Sequence, residues 1–143
     1  MGAITIKQLV TDEEWIHSFE VMKQLRSDLT LERYMELAHD MRKGGYLLFA
    51  LFVQDDIVSL AGVRKSINFY NKHHLFVYDL VTSPTQRSRG HGERLLEYIH
   101  SYGKRAGAEY VALESGIMRS EAHRFYENKM GYEKWCYSFR KKI

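Results

Sequence analysis

The spacing of apolar residues changes along this chain, and each change predicts a different kind of element. Weak alternation over residues 3–9 predicts a short first strand. Thr11 and Thr30 each precede a segment whose apolar residues recur at helical spacing, so we predict two consecutive helices with threonine N-caps. The glycine pair at 44–45 is typical of a helix end.

From residue 46 onward, continuous apolar runs replace the helical spacing, and they favour buried strands. The predicted strands span 46–53, 57–63, 75–81, 110–113 and 135–139, and the first two of these form a hairpin. Two further helices are predicted, one from about 95 to 107 and one over 120–130. The order β-α-α-β-β-β-α-β-α-β therefore predicts a mixed α/β (α+β) fold built on one sheet.

Size and charge narrow the function classes. The chain has 143 residues, so we expect a single domain over 1–143. The net charge of +3 is too small to indicate a nucleic-acid partner. One cysteine, Cys136, excludes an internal disulfide and a Cys-built metal site, and we expect it to be inert core. With no apolar run of membrane length, we expect a cytoplasmic protein that has no membrane or metal partner.

The segment after the 75–81 strand carries the most informative chemistry. A polar loop containing Arg87 and Arg89 leads into a predicted helix with Gly90 and Gly92 at its start. Backbone N–H groups at a helix start lack intrahelical partners, and glycine lets a phosphate approach them closely. The loop has neither the Gly-Lys-Ser/Thr ending of a Walker loop nor the third glycine of a dinucleotide fingerprint. It predicts a diphosphate cradle; a helix start with two incidental glycines is the alternative.

Two blocks of sequence together resemble one family. Residues 87–92, Arg-Ser-Arg-Gly-His-Gly, resemble the Gln/Arg-x-x-Gly-x-Gly/Ala signature of the GNAT superfamily of acyl-CoA N-acyltransferases. Residues 122–127, Ala-His-Arg-Phe-Tyr-Glu, followed by Met-Gly-Tyr at 130–132, resemble its Ala-x-x-Phe-Tyr-Glu…Gly-Phe/Tyr block. The resemblance covers residues 45–140. Glu-Ser-Gly at 114–116 is similar to small-molecule members, including aminoalkylphosphonate N-acetyltransferases.

The resemblance implies that acetyl-CoA is the co-substrate and binds where two parallel strands splay apart, at the strand ending at Thr82 and the strand at 110–113. The pantetheine arm would then lie along Leu80, Val81 and Thr82, and a backbone N–H near Val81 would face the thioester carbonyl. The diphosphate would contact seven consecutive residues, namely Arg87, Ser88, Arg89, Gly90, His91, Gly92 and Glu93.

The same resemblance implies catalytic residues. Tyr126 matches the usual general acid of the family, although a half-buried helix aromatic is the alternative explanation for it. Asp79 interrupts an apolar strand and is the candidate base; a carboxylate satisfied by backbone or by a cation is its alternative. Glu114, at the end of the next strand, is the rival base. Arg119 stands where many relatives have an asparagine that holds the cofactor, and it could instead meet an anionic substrate.

We therefore expect an N-acetyltransferase in which a primary amine, of a small molecule, attacks the thioester directly in a ternary complex. A non-catalytic acyl-CoA-binding sensor and a small nucleic-acid-binding protein that uses the arginine loop are the alternatives. Many relatives form dimers, so the aromatic residues of the last predicted strand, at 135, 137 and 139, could serve a homodimer interface or the core.

Overall fold

In the computed structural model, which describes residues 2–143, the chain forms two compact units. The first unit ends at Ala112 and contains the greater part of the sheet and three helices. The second unit comprises Leu113–Ile143. The single domain expected over 1–143 stays a prediction.

The elements follow the order β-α-α-β-β-β-α-β-α, which confirms the predicted mixed α/β class. The strands are β1 (Ile4–Leu9), β2 (Leu47–Val53), β3 (Asp56–Asn68), β4 (Lys72–Thr82) and β5 (Tyr110–Leu113). The helices are α1 (Asp12–Met22), α2 (Leu31–Lys43), α3 (His91–Arg105) and α4 (Ser120–Arg124). A 3-10 turn over Pro84–Gln86 precedes α3, and a π-helical turn over Phe125–Lys129 continues α4.

The five strands form one sheet in the order β1-β2-β3-β4-β5, and β1 to β4 are antiparallel neighbours. β5 lies beside β4, where the Glu109 N–H donates to the His73 carbonyl over 2.8 Å. Glu109 directly precedes β5 and His73 is the second residue of β4, so the two strands begin at the same end and run parallel, with α3 as the crossover between them.

Both faces of β2 are buried, which explains its unbroken apolar run. Leu48 and Ala50 pack into the core beneath α1 and α2, together with Trp15 and Tyr34. On the opposite face, the ring of Phe49 contacts two aromatic rings of α3, Tyr98 and Tyr102, at 5.6 and 5.2 Å between centroids. Helices therefore cover the sheet on both sides.

The predicted starts of the first two helices are confirmed. The side chains of Thr11 and Thr30 accept hydrogen bonds from the backbone N–H groups of Glu14 and Arg33. Glu14 completes a capping box, because its carboxylate accepts from the Thr11 N–H. Bonds from the Thr11 and Val10 N–H groups and from Lys7 lower the pKa of Glu14 to about 2. After α2, Gly45 adopts the left-handed conformation, with φ of 99°.

Three expectations need correction. The predicted last strand at 135–139 is wrong: this segment has no strand structure, and Trp135, Tyr137 and Phe139 are 62%, 81% and 91% exposed. Alternating apolar residues make a strand only where a neighbouring backbone pairs with them. Cys136 is accordingly exposed and is not core. β3 and β4 also extend beyond their apolar runs, because the mostly polar residues 64–68 pair with 72–76 in a longer hairpin.

Candidate functional site

Among the strands of residues 2–143, only β3 pairs with the C-terminal end of β4. Leu80, Val81 and Thr82 make this pairing. β5 has only four residues against the eleven of β4, and both strands begin at the same end. The last residues of β4 therefore run past β5, as expected for a strand that offers its main chain to a ligand.

A phosphate loop, defined here as residues 83–93, follows β4 directly. Gly90 precedes α3 in the left-handed conformation, with φ of 79°, and no side chain caps the helix. Ser88 also has a positive φ, 64°. The Arg94 N–H makes the first intrahelical bond, to the Gly90 carbonyl, so the N–H groups of His91 and Gly92 have no acceptor within the helix, as at other anion-binding helix starts.

The loop supplies positive charge and a close contact with β4. Arg87 and Arg89 are exposed; their side chains donate at 3.4 Å to the Thr82 carbonyl and to the Gln86 side chain. A Cβ on Gly92 would stand 3.3 Å from Thr82 Oγ1, so the start of α3 lies against the end of β4. Uncapped N–H groups, two guanidinium groups and a left-handed glycine together fit a diphosphate.

Asp79 is 8% exposed and both of its carboxylate oxygens have donors. Arg26 Nε donates to Oδ1 over 2.9 Å, and the Tyr46 hydroxyl donates to Oδ2 over 2.7 Å. Burial and the charge of Asp79 raise the pKa of Tyr46 well above its ordinary value, so this phenol stays protonated and remains a donor. Tyr46 fits only because residue 62 is glycine: a Cβ there would lie 1.5 Å from its hydroxyl.

These four residues, Arg26, Tyr46, Gly62 and Asp79, are called the Asp79 cluster below. The Arg26 guanidinium is the cation expected as an alternative partner of the Asp79 carboxylate. Asp79 remains a candidate base. Sequence reasoning missed Arg26, Tyr46 and Gly62. Gly62 did carry a signal, since an isolated glycine within an apolar strand indicates a close approach. Arg26 carried none, because 53 positions separate it from Asp79.

The second unit holds Tyr126, the candidate general acid. Tyr126 lies in the π-helical turn and is 9% exposed, and its ring contacts Phe125 and Tyr132 at 5.4 and 5.8 Å. Burial raises the pKa of Tyr126 above its ordinary value, while the positive charge of Arg119 acts in the opposite direction. π-helical turns are frequent at functional sites.

Glu114, the rival base, is exposed and follows β5 in the second unit. Its neighbour Ser115 has a buried Oγ without a hydrogen-bond partner among residues 2–143. Arg119 is the N-cap residue that precedes α4, and His123 Nε2 lies 2.8 Å from the Gly116 carbonyl. This loop therefore brings Glu114, an unsatisfied hydroxyl and a cation into one short segment.

Within residues 2–143, no group of three or more His, Cys, Asp and Glu side chains is arranged to hold a metal ion. Over the same residues, no helix combines the length and the apolar character needed to cross a bilayer.

Comparison with known proteins gives consistent matches. Residues 7–132 match the sequence model of the Acetyltransferase (GNAT) family. The chain is 40% identical over 141 residues to the uncharacterized N-acetyltransferase YhdJ of Bacillus subtilis, covering 98% of this chain and 99% of that protein. A shorter match, 34% identical over 67 residues, is to the aminoalkylphosphonate N-acetyltransferase of Salmonella typhimurium, covering 47% and 43% of the two chains.

A solved structure extends the similarity to the fold. The aminoglycoside N-acetyltransferase AAC(6′)-Iy, in complex with CoA, superposes with a TM-score of 0.86 at 15% identity, covering 100% of this chain and 97% of that one. At this identity the similarity concerns the arrangement of helices and strands.

Proposed function

Because this chain belongs to the acetyltransferase (GNAT) family and is an N-acetyltransferase, we propose that it transfers the acetyl group of acetyl-CoA to a primary amine of a small molecule. The observation that carries this proposal is the phosphate loop, with the uncapped start of α3, the left-handed Gly90 and two exposed arginines. It directly follows the C-terminal end of β4.

In this proposal the main chain holds acetyl-CoA. The N–H groups of His91 and Gly92 and the side chains of Arg87 and Arg89 bind the diphosphate. The edge of Leu80–Thr82 that faces away from β3 pairs with the pantetheine amides, and a backbone N–H near Val81 stabilises negative charge on the carbonyl oxygen. Acetyl-CoA supplies the activated acyl group. The chain's task is to orient that group and to move two protons.

Tyr126 is proposed as the general acid. When the amine nitrogen bonds to the carbonyl carbon and the C–S bond breaks, the sulfur leaves with the electron pair and needs a proton. A phenol with a pKa of about 10 holds its proton until the sulfur, whose thiol has a pKa of about 8.5, develops charge. Burial of Tyr126 keeps the proton in place, and Arg119 favours its release.

Removal of the amine proton is proposed for Asp79 or Glu114, directly or through water. A primary ammonium has a pKa near 10, so the attacking nitrogen must lose a proton to become nucleophilic. Asp79 is buried and holds two donors, whereas Glu114 is exposed. Substitution of each by its amide distinguishes them: the base variant loses most activity near neutral pH, where the amine is protonated and a carboxylate is ionised, and recovers as the pH rises towards 10, whereas the other variant shows no such dependence.

A small amine is supported as the acceptor by the names of the similar proteins, which act on aminoalkylphosphonates and aminoglycosides. Acetyl-CoA is supported by the same family membership. A non-catalytic acyl-CoA-binding sensor makes the same prediction for CoA affinity. It differs in predicting no release of free thiol with any amine.

The test is an assay of thiol release from acetyl-CoA across a panel of small primary amines. We expect turnover with at least one amine, and Tyr126→Phe should lower kcat by about a hundredfold or more. Tyr102→Phe is the matched control. Tyr102 lies in α3, where its ring packs on Phe49 of β2, and the variant should keep wild-type activity. Binding of CoA without any thiol release would favour the sensor. Full activity in Tyr126→Phe would overturn the acid role.

A further inference from the structure

β4 contains an extra residue next to the Asp79 cluster. Gly62 pairs with Asp79 and Val63 pairs with Val77, so Tyr78 is inserted into β4 as a β-bulge. A bulged residue is left unpaired with the neighbouring strand, and it bends its strand locally. The direction of β4 beyond the bulge, over Leu80–Thr82, therefore depends on what holds Tyr78.

Arg26 holds this bulge. Its Nη2 donates to the Tyr78 carbonyl over 2.9 Å and lies 2.9 Å from Asp79 Oδ1, while its Nε donates to the same carboxylate oxygen. One planar guanidinium group thus joins two consecutive residues of β4. Lysine has a single donor nitrogen and not a planar pair, so it could not reproduce these contacts in the same geometry.

Arg26 comes from a different layer of the fold. It lies in the connection between α1 and α2, where its N–H donates to the Met22 carbonyl and its own carbonyl accepts from the Leu29 N–H. Those bonds fix the backbone from which the side chain reaches β4. From the opposite side, Tyr46 fixes the other oxygen of Asp79.

We propose that Arg26 is a positioning residue of the acetyl transfer. It fixes the β4 bulge and Asp79, and through them the orientation of Leu80–Thr82, where the thioester is proposed to lie. This inference rests on the proposed function. The phosphate loop does not contain Arg26, so the inference predicts a separation: loss of Arg26 impairs turnover and leaves CoA affinity nearly intact.

The test compares Arg26→Lys with Arg42→Lys. Arg42 is a matched control because it also joins a carboxylate, Asp12, and a backbone carbonyl, Val10, but these lie outside β4. We expect Arg26→Lys to lower kcat between about tenfold and a hundredfold, as a misplaced reacting group does, while the Kd of CoA changes less than about twofold. Arg42→Lys should leave both quantities unchanged.

Amide hydrogen exchange supplies a readout that needs no acceptor. We expect faster exchange of Leu80 and Val81 in Arg26→Lys than in wild type, and no change at these amides in Arg42→Lys. If the wild-type protein is active and Arg26→Lys has the same kcat, this inference is overturned, whatever the exchange result. The proposed function would then still stand. Failure of the wild-type protein to bind CoA overturns the proposed function, and this inference with it.

Discussion

The phosphate loop directly follows β4, and the Asp79 cluster is centred on a residue within β4. The two are built in opposite ways. The loop is one continuous stretch, mostly exposed from Pro84 to Gly90, and it leads into an uncapped helix start whose backbone N–H groups are the proposed binding groups. The cluster joins side chains from separate segments, and its Asp79 and Tyr46 are buried while the Arg26 side chain is 45% exposed; each oxygen of Asp79 is already bonded. The loop has donors to offer a ligand, whereas the cluster satisfies its own charge.

We infer from this difference that the loop determines CoA affinity, whereas the Asp79 cluster determines how the reacting groups are positioned. An exposed backbone site can change its affinity without much effect on the fold, because few packing contacts depend on it. A buried charge with fixed partners cannot lose one of them without a large loss of stability. Variants of matched chemistry in the two regions should therefore give opposite results in unfolding and in CoA binding.

The largest effect is expected at Gly62. In Gly62→Ala the new Cβ would stand 1.5 Å from the Tyr46 hydroxyl, and Tyr46 cannot withdraw easily because it is 4% exposed and packs against Trp15. We expect the free energy of unfolding to fall by about 3 kcal/mol, measured by urea denaturation. The Tyr46–Asp79 hydrogen bond should be lost at the same time.

Gly44→Ala is the control for Gly62→Ala. Gly44 has a φ of −86°, and an added Cβ would meet its nearest neighbour at an ordinary 3.5 Å. Its stability should stay within about 0.5 kcal/mol of wild type. Equal stability of the two variants would contradict the close packing of Tyr46 on Gly62.

A smaller effect on stability, but a clear one on binding, is expected at Gly90. Gly90→Ala places a side chain at φ of 79°, with open space around it, so the cost is backbone strain of about 1 kcal/mol. Because the strain distorts the N–H groups that follow, we expect CoA affinity to fall about tenfold. Calorimetric titration with CoA measures this change.

Gly107→Ala matches Gly90→Ala in backbone conformation, with φ of 87° and open space, but it follows the other end of α3. We expect the same loss of stability and no change in CoA affinity. If both variants bound CoA like wild type, the loop would not be the diphosphate site.

The smallest effect is expected at the capping box of α1, which belongs to neither region. The pKa of Glu14 is about 2 in the folded protein against 4.5 ordinarily. Its stabilisation is therefore present above pH 4.5 and is lost as the pH falls towards 2. Glu14→Gln should lower stability at pH 7 by about 0.5–1 kcal/mol and flatten this acid dependence, with unchanged CoA affinity at neutral pH.

Urea denaturation at pH 7 and pH 3 checks this prediction. Glu13→Gln is the control, because Glu13 lies in the same helical turn and takes no part in the capping box. A stability difference between wild type and Glu14→Gln that stayed constant from pH 7 to pH 3 would show that the carboxylate charge is unimportant.

The sequence predicted those features that short contiguous stretches encode. Thr11 and Thr30 cap their helices as expected, and a helix begins directly after the left-handed Gly90, in the loop that follows β4; the role of that loop in binding a diphosphate stays a prediction. The family resemblance is likewise confirmed, since its two motifs lie in the matched region, 7–132.

What the sequence did not reveal depends on contacts between distant segments. The carboxylate of Asp79 within an apolar strand indicated that a partner must exist, but 53 positions separate it from Arg26. The prediction of a strand at 135–139 was wrong for the converse reason. The alternation of apolar residues is a local pattern, and no strand among the described residues pairs with this segment. The roles of Asp79, Glu114 and Tyr126 stay predictions, as residue types fit more than one role.

Calorimetric titration of the wild-type protein with CoA, at near-physiological salt, shows whether the phosphate loop binds this ligand. We expect one molecule bound per chain with a Kd below about 1 mM, within the range usual for enzyme substrates. The absence of any binding heat up to millimolar CoA would contradict both the CoA site and the proposed acetyl transfer.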